Sequence, residues 1–202
     1  MTMKTPRVYL SIDLDYWSWN HTGAACKRFF DRVFALGIPM WVTPSHEQLL
    51  PYINDSGCQH IVNVDEHSDI VDIDRTLKQF SRTVANDGTW ANFVSFRRQG
   101  LFEWRHPRSS CQGGYCHSGV NPFRTAKCAG WKQTKKRRGI ADIPWNQVSA
   151  IGVCLSRDYM GEQAAILPVV RMLGICEWLH LHNEVLKQMP PKFIDFRQLK
   201  VA

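Results

Sequence analysis

The sequence lacks any long apolar segment. No stretch approaches the roughly 18 to 20 consecutive apolar residues that a membrane-spanning helix requires, although 44% of the 202 residues are hydrophobic. The opening residues, MTMKTPRVYLSIDLDYW, reach acidic side chains too soon for a secretory signal peptide. We therefore expect a cytoplasmic protein that makes no membrane contact.

The sequence also lacks internal repeats and the paired cysteines of a disulfide scaffold. The absence of a repeat excludes a solenoid. The seven cysteines are an odd number, and four of them, Cys26, Cys58, Cys154 and Cys176, fall in predicted core segments. This distribution is typical of a reducing compartment, so we predict no structural disulfide. The length suits a single domain over 1–202, whose oligomeric state the sequence leaves open.

Positive charge is in excess and is unevenly distributed. The chain has a formal net charge of +7, and its densest cationic run is KQTKKRRG at 132–139. Four adjacent cations without a helical or aromatic framework carry little binding specificity. We therefore expect 132–138 to be a solvated loop, with a phosphate-contacting patch for nucleic acid as the second interpretation.

The sequence does contain an alternation of β-rich and helical segments. Short β-rich runs predict strands at 7–12, 38–43, 60–64, 90–96 and 148–156. Helical spacing of apolar residues predicts helices at 26–36, 45–53, 73–84 and 162–187. Between about 100 and 144 the pattern weakens, which predicts an irregular Cys/Gly/Arg-rich insertion of loops or a hairpin. The alternation predicts an α/β fold with a mostly parallel sheet in three α/β/α layers.

Polar titratable side chains follow three of the predicted strands. The carboxyl ends of parallel strands converge on one crevice, and the side chains placed there are Asp13, Asp15, His46, Asp65, His67 and Asp69. Alternate residues of an extended segment point the same way, so Asp65, His67 and Asp69 are expected to face one centre. Clustered carboxylates repel one another, whereas divalent cations make the cluster favourable. Carboxylate and imidazole ligands without a thiolate favour Mn²⁺ or Zn²⁺.

Together these motifs resemble the arginase and histone-deacetylase superfamily, also called ureohydrolase-like hydrolases. DEHSD matches its Asp-x-His-x-Asp segment, SIDLDYW matches its Ser-x-Asp-x-Asp segment, and His46 matches its separate histidine. SHEQLLPYI, HIVNVDEHSDI and GTWANFV are similar to segments of an uncharacterised arginase-like family. In familiar members the Asp-x-Asp segment comes late in the chain. Here it comes first, so the resemblance, which covers 7–96, implies a circularly permuted arginase-like fold.

The resemblance implies hydrolysis of a non-peptide C–N bond in an amide, guanidino or acyl-amine substrate by metal-activated water. The arginase-like branch implies two divalent ions held by all six residues, with Mn²⁺ expected and Zn²⁺ as the alternative. The deacetylase branch would use one zinc ion at Asp65, His67 and Asp13. A proton donor for the leaving amine is expected, and Glu47, Glu66 and His117 are the candidates.

Two further functions fit the same residues. The first is a catalytically silent member of this fold that binds a partner or nucleic acid through its basic loops. The second is a metal-dependent phosphoesterase or nuclease, since carboxylate and histidine clusters also serve phosphoryl transfer. An open coordination position at a bound metal would favour an enzyme over a binding protein.

A second group of metal-ligand residue types lies in the irregular region. It consists of Cys111, Cys116, His117 and Cys128, which are candidates for a structural zinc site. The C-x4-C-H-x10-C spacing is not that of a standard zinc finger, and adjacent residues rarely bind the same ion. A glycine-rich loop beside the crevice is the alternative.

Overall fold

The computed structural model describes residues 7–17, 22–69, 85, 88–96, 100–107, 133–157 and 165–195. Within these residues the chain forms seven strands: β1 (Val8–Asp13), β2 (Met40–Thr43), β3 (His60–Val64), β4 (Leu101–His106), β5 (Gln133–Arg138), β6 (Val148–Cys154) and β7 (Lys192–Ile194). It also forms four α-helices: α1 (Gly23–Ala35), α2 (Leu50–Asp55), α3 (Leu167–Met172) and α4 (Asn183–Leu186).

The strands form one sheet in the order β5-β4-β3-β1-β6-β2-β7. The first six strands of the chain pair in parallel, and β7 pairs antiparallel with β2. The predicted α/β fold with a mostly parallel sheet is therefore confirmed. β1 is the central strand of the seven, with β3 on one side and β6 on the other.

One face of the sheet packs against α1 and α3. Helix α1 begins after Thr22, whose hydroxyl accepts a hydrogen bond from the Ala25 amide at 3.3 Å. Its buried residues Cys26, Phe29, Phe30 and Val33 follow helical spacing, as predicted. The helix ends before Gly37, which has a φ of +62°. The buried apolar side chains of α1 fix the helix over β1 and β6.

The other face carries a smaller apolar cluster, in which Tyr9 of β1 packs with Leu49, Trp90 and Phe102. The sheet approaches this layer closely at Gly152 of β6. A β-carbon there would lie 2.4 Å from the Tyr9 hydroxyl oxygen, so a larger residue would displace buried groups. Apolar clusters therefore cover both faces of the sheet.

Several predicted elements differ from the structure. The predicted strand at 90–96 is wrong: Trp90–Phe93 is a 3₁₀-helix. The predicted helix at 162–187 is replaced, among the residues described, by α3, a 3₁₀-helix at Cys176–His180 and α4. Gly174, with a φ of +61°, separates the first two of these. The predicted helix at 73–84 lies outside the described residues.

The region predicted to be an irregular insertion contributes two strands to the main sheet. Both β4 and β5 pair in parallel, so neither forms an inserted hairpin, and 133–138 is not a loop. The apolar pattern did not predict β4 because two charged residues, Glu103 and Arg105, are buried among its apolar positions. The Arg105 guanidinium contacts both Glu103 and Asp142, and His60 lies 3.1 Å from Glu103.

Two other expectations concern cysteines and membranes. The four cysteines that the structure describes, Cys26, Cys58, Cys154 and Cys176, are free thiols. Among the described helices, none is long and apolar enough to cross a bilayer.

Candidate metal centre

The six residues predicted to bind metal lie together at the carboxyl ends of β1, β2 and β3. Asp13 ends β1, His46 follows β2, and Asp65 follows β3. The side chains of these three residues are almost completely buried. Asp15 and Asp69 are buried as well, whereas the side chain of His67 is 33% exposed. The structure thus brings all six residues to one edge of the sheet.

Four of these residues form an inner group around one imidazole nitrogen. The Nδ1 atom of His46 lies 3.2 Å from a carboxylate oxygen of each of Asp13, Asp65 and Asp69. None of these contacts has hydrogen-bond geometry, so this buried nitrogen has no hydrogen-bond partner. One ring proton could in any case serve only one of three acceptors well. Hydrogen bonding alone therefore does not explain why three carboxylates converge here.

The remaining residues form an outer group that shares Asp65 with the inner group. The Nδ1 atom of His67 lies 2.9 Å from Asp15 Oδ2 and 3.9 Å from Asp65 Oδ1. The other oxygen of Asp65, Oδ2, is the one that contacts His46. Asp65 therefore presents one oxygen to each group, which is the arrangement of a bridging carboxylate.

The distances suit divalent cations. Within the inner group, the potential ligand atoms of His46, Asp65 and Asp69 all lie within 4.8 Å of one another, as do those of Asp15, Asp65 and His67 in the outer group. Metal–ligand bonds of about 2.1 Å place neighbouring ligand atoms roughly 3.0 to 3.4 Å apart. The 3.2 Å contacts of His46 fall in this range. Four carboxylates would also balance the charge of two divalent ions, so the residues present fit a metal centre.

Burial and the neighbouring charges shift the pKa values of four residues in the cluster. Burial, and then repulsion from Asp13, raises the pKa of Asp15 well above its ordinary value. Burial and repulsion from Asp65 likewise raise the pKa of Asp69. Burial acts to lower the pKa of His46, but contacts with its three carboxylates outweigh burial and raise it. Burial acts to raise the pKa of Asp65, but its contact with His46 outweighs burial and lowers it.

The segment after β3 converges through a tight turn, which corrects the prediction of an extended segment. The His67 amide donates to Asp65 Oδ1 at 2.7 Å, closing a turn directly after the strand. Asp69 has a left-handed φ of +51°, which redirects its side chain toward His46. Alternation along a strand therefore named residues that the structure brings together, but it gave the wrong local geometry.

A similar turn positions Asp13 and Asp15 at the carboxyl end of β1. Asp15 lies in the 3₁₀-helix Leu14–Trp17, and its amide donates to Asp13 Oδ1 at 3.0 Å. Asp15 Oδ1 also accepts the Glu66 amide at 3.3 Å, which ties this turn to the turn after β3.

Three residues support the centre through contacts that the sequence did not predict. Ser11 Oγ lies 2.7 Å from His46 Nε2, and the side-chain amide nitrogen of Asn63, Nδ2, donates to Asp65 Oδ2 at 3.1 Å. The Trp90 indole N–H donates to Asp69, and its ring stacks on His46 with centroids 4.3 Å apart. Ser11 and Asn63 each precede a ligand candidate by two positions on a strand, a signal that could have found them. Trp90 falls in the GTWANFV segment of the resemblance, which assigned it no role at the site.

One thiol also lies close to the centre. Cys154, at the end of β6, forms a third set of potential ligands with Asp13 and His46. The sequence placed Cys154 in the core, where the structure also buries it, but did not predict its proximity to these residues. A thiol beside carboxylates and imidazole makes Zn²⁺ a stronger alternative to Mn²⁺ than the six predicted ligands alone would suggest.

The three candidate proton donors differ in how the structure places them. Glu66 is buried beside the outer group, between Asp65 and His67 in the chain. Glu47 is half-buried and accepts a hydrogen bond from Ser45 Oγ at 2.6 Å. His117 lies outside the described residues, as do the cysteines of the candidate second zinc site. The catalytic roles remain predictions.

Comparison with known proteins adds no family. No family model matches the chain, and neither a curated protein nor a solved structure matches it. The structure shows an α/β fold with a mostly parallel sheet and a buried cluster of Asp and His residues that could hold a metal ion. The arginase-like resemblance rests on the motifs in the sequence.

Proposed function

We propose that the protein is a metal-dependent hydrolase of a non-peptide C–N bond, with two divalent ions held by the inner and outer groups. One observation carries the proposal: the two oxygens of Asp65 face two different sets of buried or half-buried Asp and His side chains. A carboxylate shared in this way is suited to fixing two ions a few ångströms apart. The motif resemblance to arginase-like hydrolases supports the choice of a C–N bond.

The residues of the two groups would hold the ions and leave one position open to substrate. Bound ions would supply Lewis acidity and lower the pKa of a water molecule. Asp13, Asp65 and Asp69 would hold the inner position, with His46 fixed from behind by Ser11. The partial exposure of His67 leaves the outer position accessible to a small or acylated substrate.

The protonation of the leaving amine needs a separate group. Glu66 is the candidate that the fold favours, because its amide is hydrogen-bonded to Asp15 and its backbone therefore has a fixed position at the outer group. A carboxyl group near the reacting bond could donate a proton to the amine as the C–N bond breaks. Glu47 and His117 remain the alternatives.

Metal content is the first test. Protein purified without a nickel affinity step would be analysed by elemental mass spectrometry, alongside Asp65→Asn and the control Asp55→Asn at an exposed position of α2. We expect about two equivalents of Mn²⁺ or Zn²⁺ in the wild type and the control, and loss of both ions in Asp65→Asn. Absence of metal after supplementation with both ions would contradict the proposal and favour a binding protein.

Turnover is the second test and separates the enzyme classes. Amides, guanidines and acylated amines would be assayed with Mn²⁺ or Zn²⁺ for release of the amine, next to a phosphodiester as the competing substrate class. Amine release that is lost in Asp65→Asn but kept in Asp55→Asn is the expected result. Cleavage of the phosphodiester alone would instead identify a metal-dependent phosphoesterase.

A further inference from the structure

The excess positive charge of the protein belongs to one stretch of the chain. Residues 97–138 contain eleven of the 25 Lys and Arg residues but only one of the 18 Asp and Glu residues. This stretch therefore has a formal charge of +10, and the rest of the chain has a formal charge of −3. A polyanion would be attracted to the positively charged stretch and repelled by the rest of the chain.

The fold places the densest part of this charge on an edge strand. Within the described residues, β5 pairs with β4 alone and ends the sheet. Four consecutive cationic residues, 135–138, occupy its last four positions. The buried charges of β4 do not add to them, because Arg105 is already paired with Glu103 and Asp142.

The edge strand also leads toward the candidate metal centre. Because β3, β4 and β5 are parallel, the carboxyl end of β5 lies at the same edge of the sheet as Asp65. Two strand spacings, roughly 10 Å, separate the backbones of β5 and β3. A ligand bound along β5 would therefore extend to within reach of the crevice.

We propose that the β5 edge binds the phosphate backbone of single-stranded nucleic acid, an activity separate from the proposed hydrolysis. Charge complementarity favours this ligand over an acidic peptide. A peptide that adds to a sheet edge gains specificity from apolar pockets along the strand, and β5, QTKKRR, contains no apolar residue. Rows of cationic residues also oppose strand addition. Phosphate binding requires only the charge density that β5 provides, so the binding is independent of base sequence.

A matched pair of variants tests the proposal. In the first, Lys135, Lys136, Arg137 and Arg138 are all changed to Gln. In the control, four exposed cationic residues elsewhere are changed to Gln: Lys27, Arg28, Arg171 and Lys187. Both variants change the net charge equally. Binding of fluorescent single-stranded RNA and DNA of about 20 nucleotides would be followed by anisotropy across a range of salt concentrations.

We expect the β5 variant to lose more than about tenfold in affinity, and the slope of log affinity against log salt to fall by about three. The control should change affinity by less than about twofold. Equal losses in the two variants would overturn the proposal, because net charge alone would then explain binding. Wild-type protein that binds polyglutamate as tightly as RNA would also overturn it, in favour of an acidic protein partner.

Two measurements keep the result interpretable. Circular dichroism would verify folding, and the paired variants Lys135→Gln/Arg137→Gln and Lys136→Gln/Arg138→Gln would each show part of the loss if the full variant misfolds. Binding would also be measured with Asp65→Asn in a chelator. Retained binding there separates this proposal from the metal-dependent hydrolysis, since either can fail without the other.

Discussion

The inner and outer groups share Asp65 but differ in depth and support. In the inner group, His46 is almost completely buried and is contacted by Ser11 and Trp90 on sides away from the carboxylates. In the outer group, His67 is one-third exposed and contacts Asp15 directly. Under the proposed function, the inner position would hold an ion firmly and the outer position would exchange ligands with solvent.

The largest expected effect comes from removing one imidazole from each group. His46→Ala leaves three buried carboxylates without their partner and should destabilise the metal-free fold by about 3 to 5 kcal/mol. Because the His67 side chain is already one-third exposed, His67→Ala should leave stability within about 1 kcal/mol of wild type while removing only the outer ion. Thermal denaturation and metal analysis would measure both. His180→Ala, at an exposed position, is the control. Equal destabilisation by the two variants would erase the distinction between the groups.

A second prediction sharpens the comparison through pH. In metal-free protein, the folded-state pKa values of Asp15 and Asp69 lie well above the unfolded values, so the folded state holds protons that the unfolded state releases. The pKa of His46 is also raised, so above the ordinary pKa of histidine the folded state again holds a proton that the unfolded state releases. Stability should therefore fall as pH rises from about 5 to 8.

Thermal melts in a chelator would measure this slope, and melts with saturating Mn²⁺ should remove or invert it, because bound ions favour the ionised carboxylates. In metal-free protein, Asp15→Asn should reduce the dependence of stability on pH. A metal-free protein that becomes more stable toward pH 8 would show that these carboxylates are solvated rather than buried together.

The smallest expected effect concerns the support of the inner group. Trp90→Phe removes the indole N–H that donates to Asp69 but keeps an aromatic ring beside His46. Loss of such a supporting hydrogen bond should weaken metal affinity by about tenfold. Metal titration would be compared with Trp178→Phe, which alters another buried indole in a different core cluster. Equal weakening in the two variants would indicate a general packing effect.

The sequence predicted the part of the fold whose apolar patterns are simple. β1, α1, β2 and β3 follow strand and helix periodicities closely. In β4, by contrast, Glu103 and Arg105 alternate with Phe102 and Trp104, so the strand has no apolar run to find. β5 is polar along its whole length, which is compatible with an edge strand but typical of a loop.

The sequence was more informative about the identities of the site residues than about their geometry. Residue types and their positions after strands named all six side chains of the cluster. The convergence itself depends on the left-handed backbone at Asp69 and on Trp90, which is 21 positions away in the chain. Contacts of this kind arise from tertiary packing, which a single sequence does not encode as a local pattern.

The position of β6 has a consequence for the order of events during synthesis. All six residues of the cluster precede position 70, yet β2, which carries His46 into place, reaches β1 only through β6. Cys154 of β6 lies beside Pro44, 110 positions earlier in the chain. Pairings across such separations form slowly and late. A nascent chain therefore carries every candidate ligand long before the ligands can reach this arrangement, so any ion that the cluster binds would be captured late in folding.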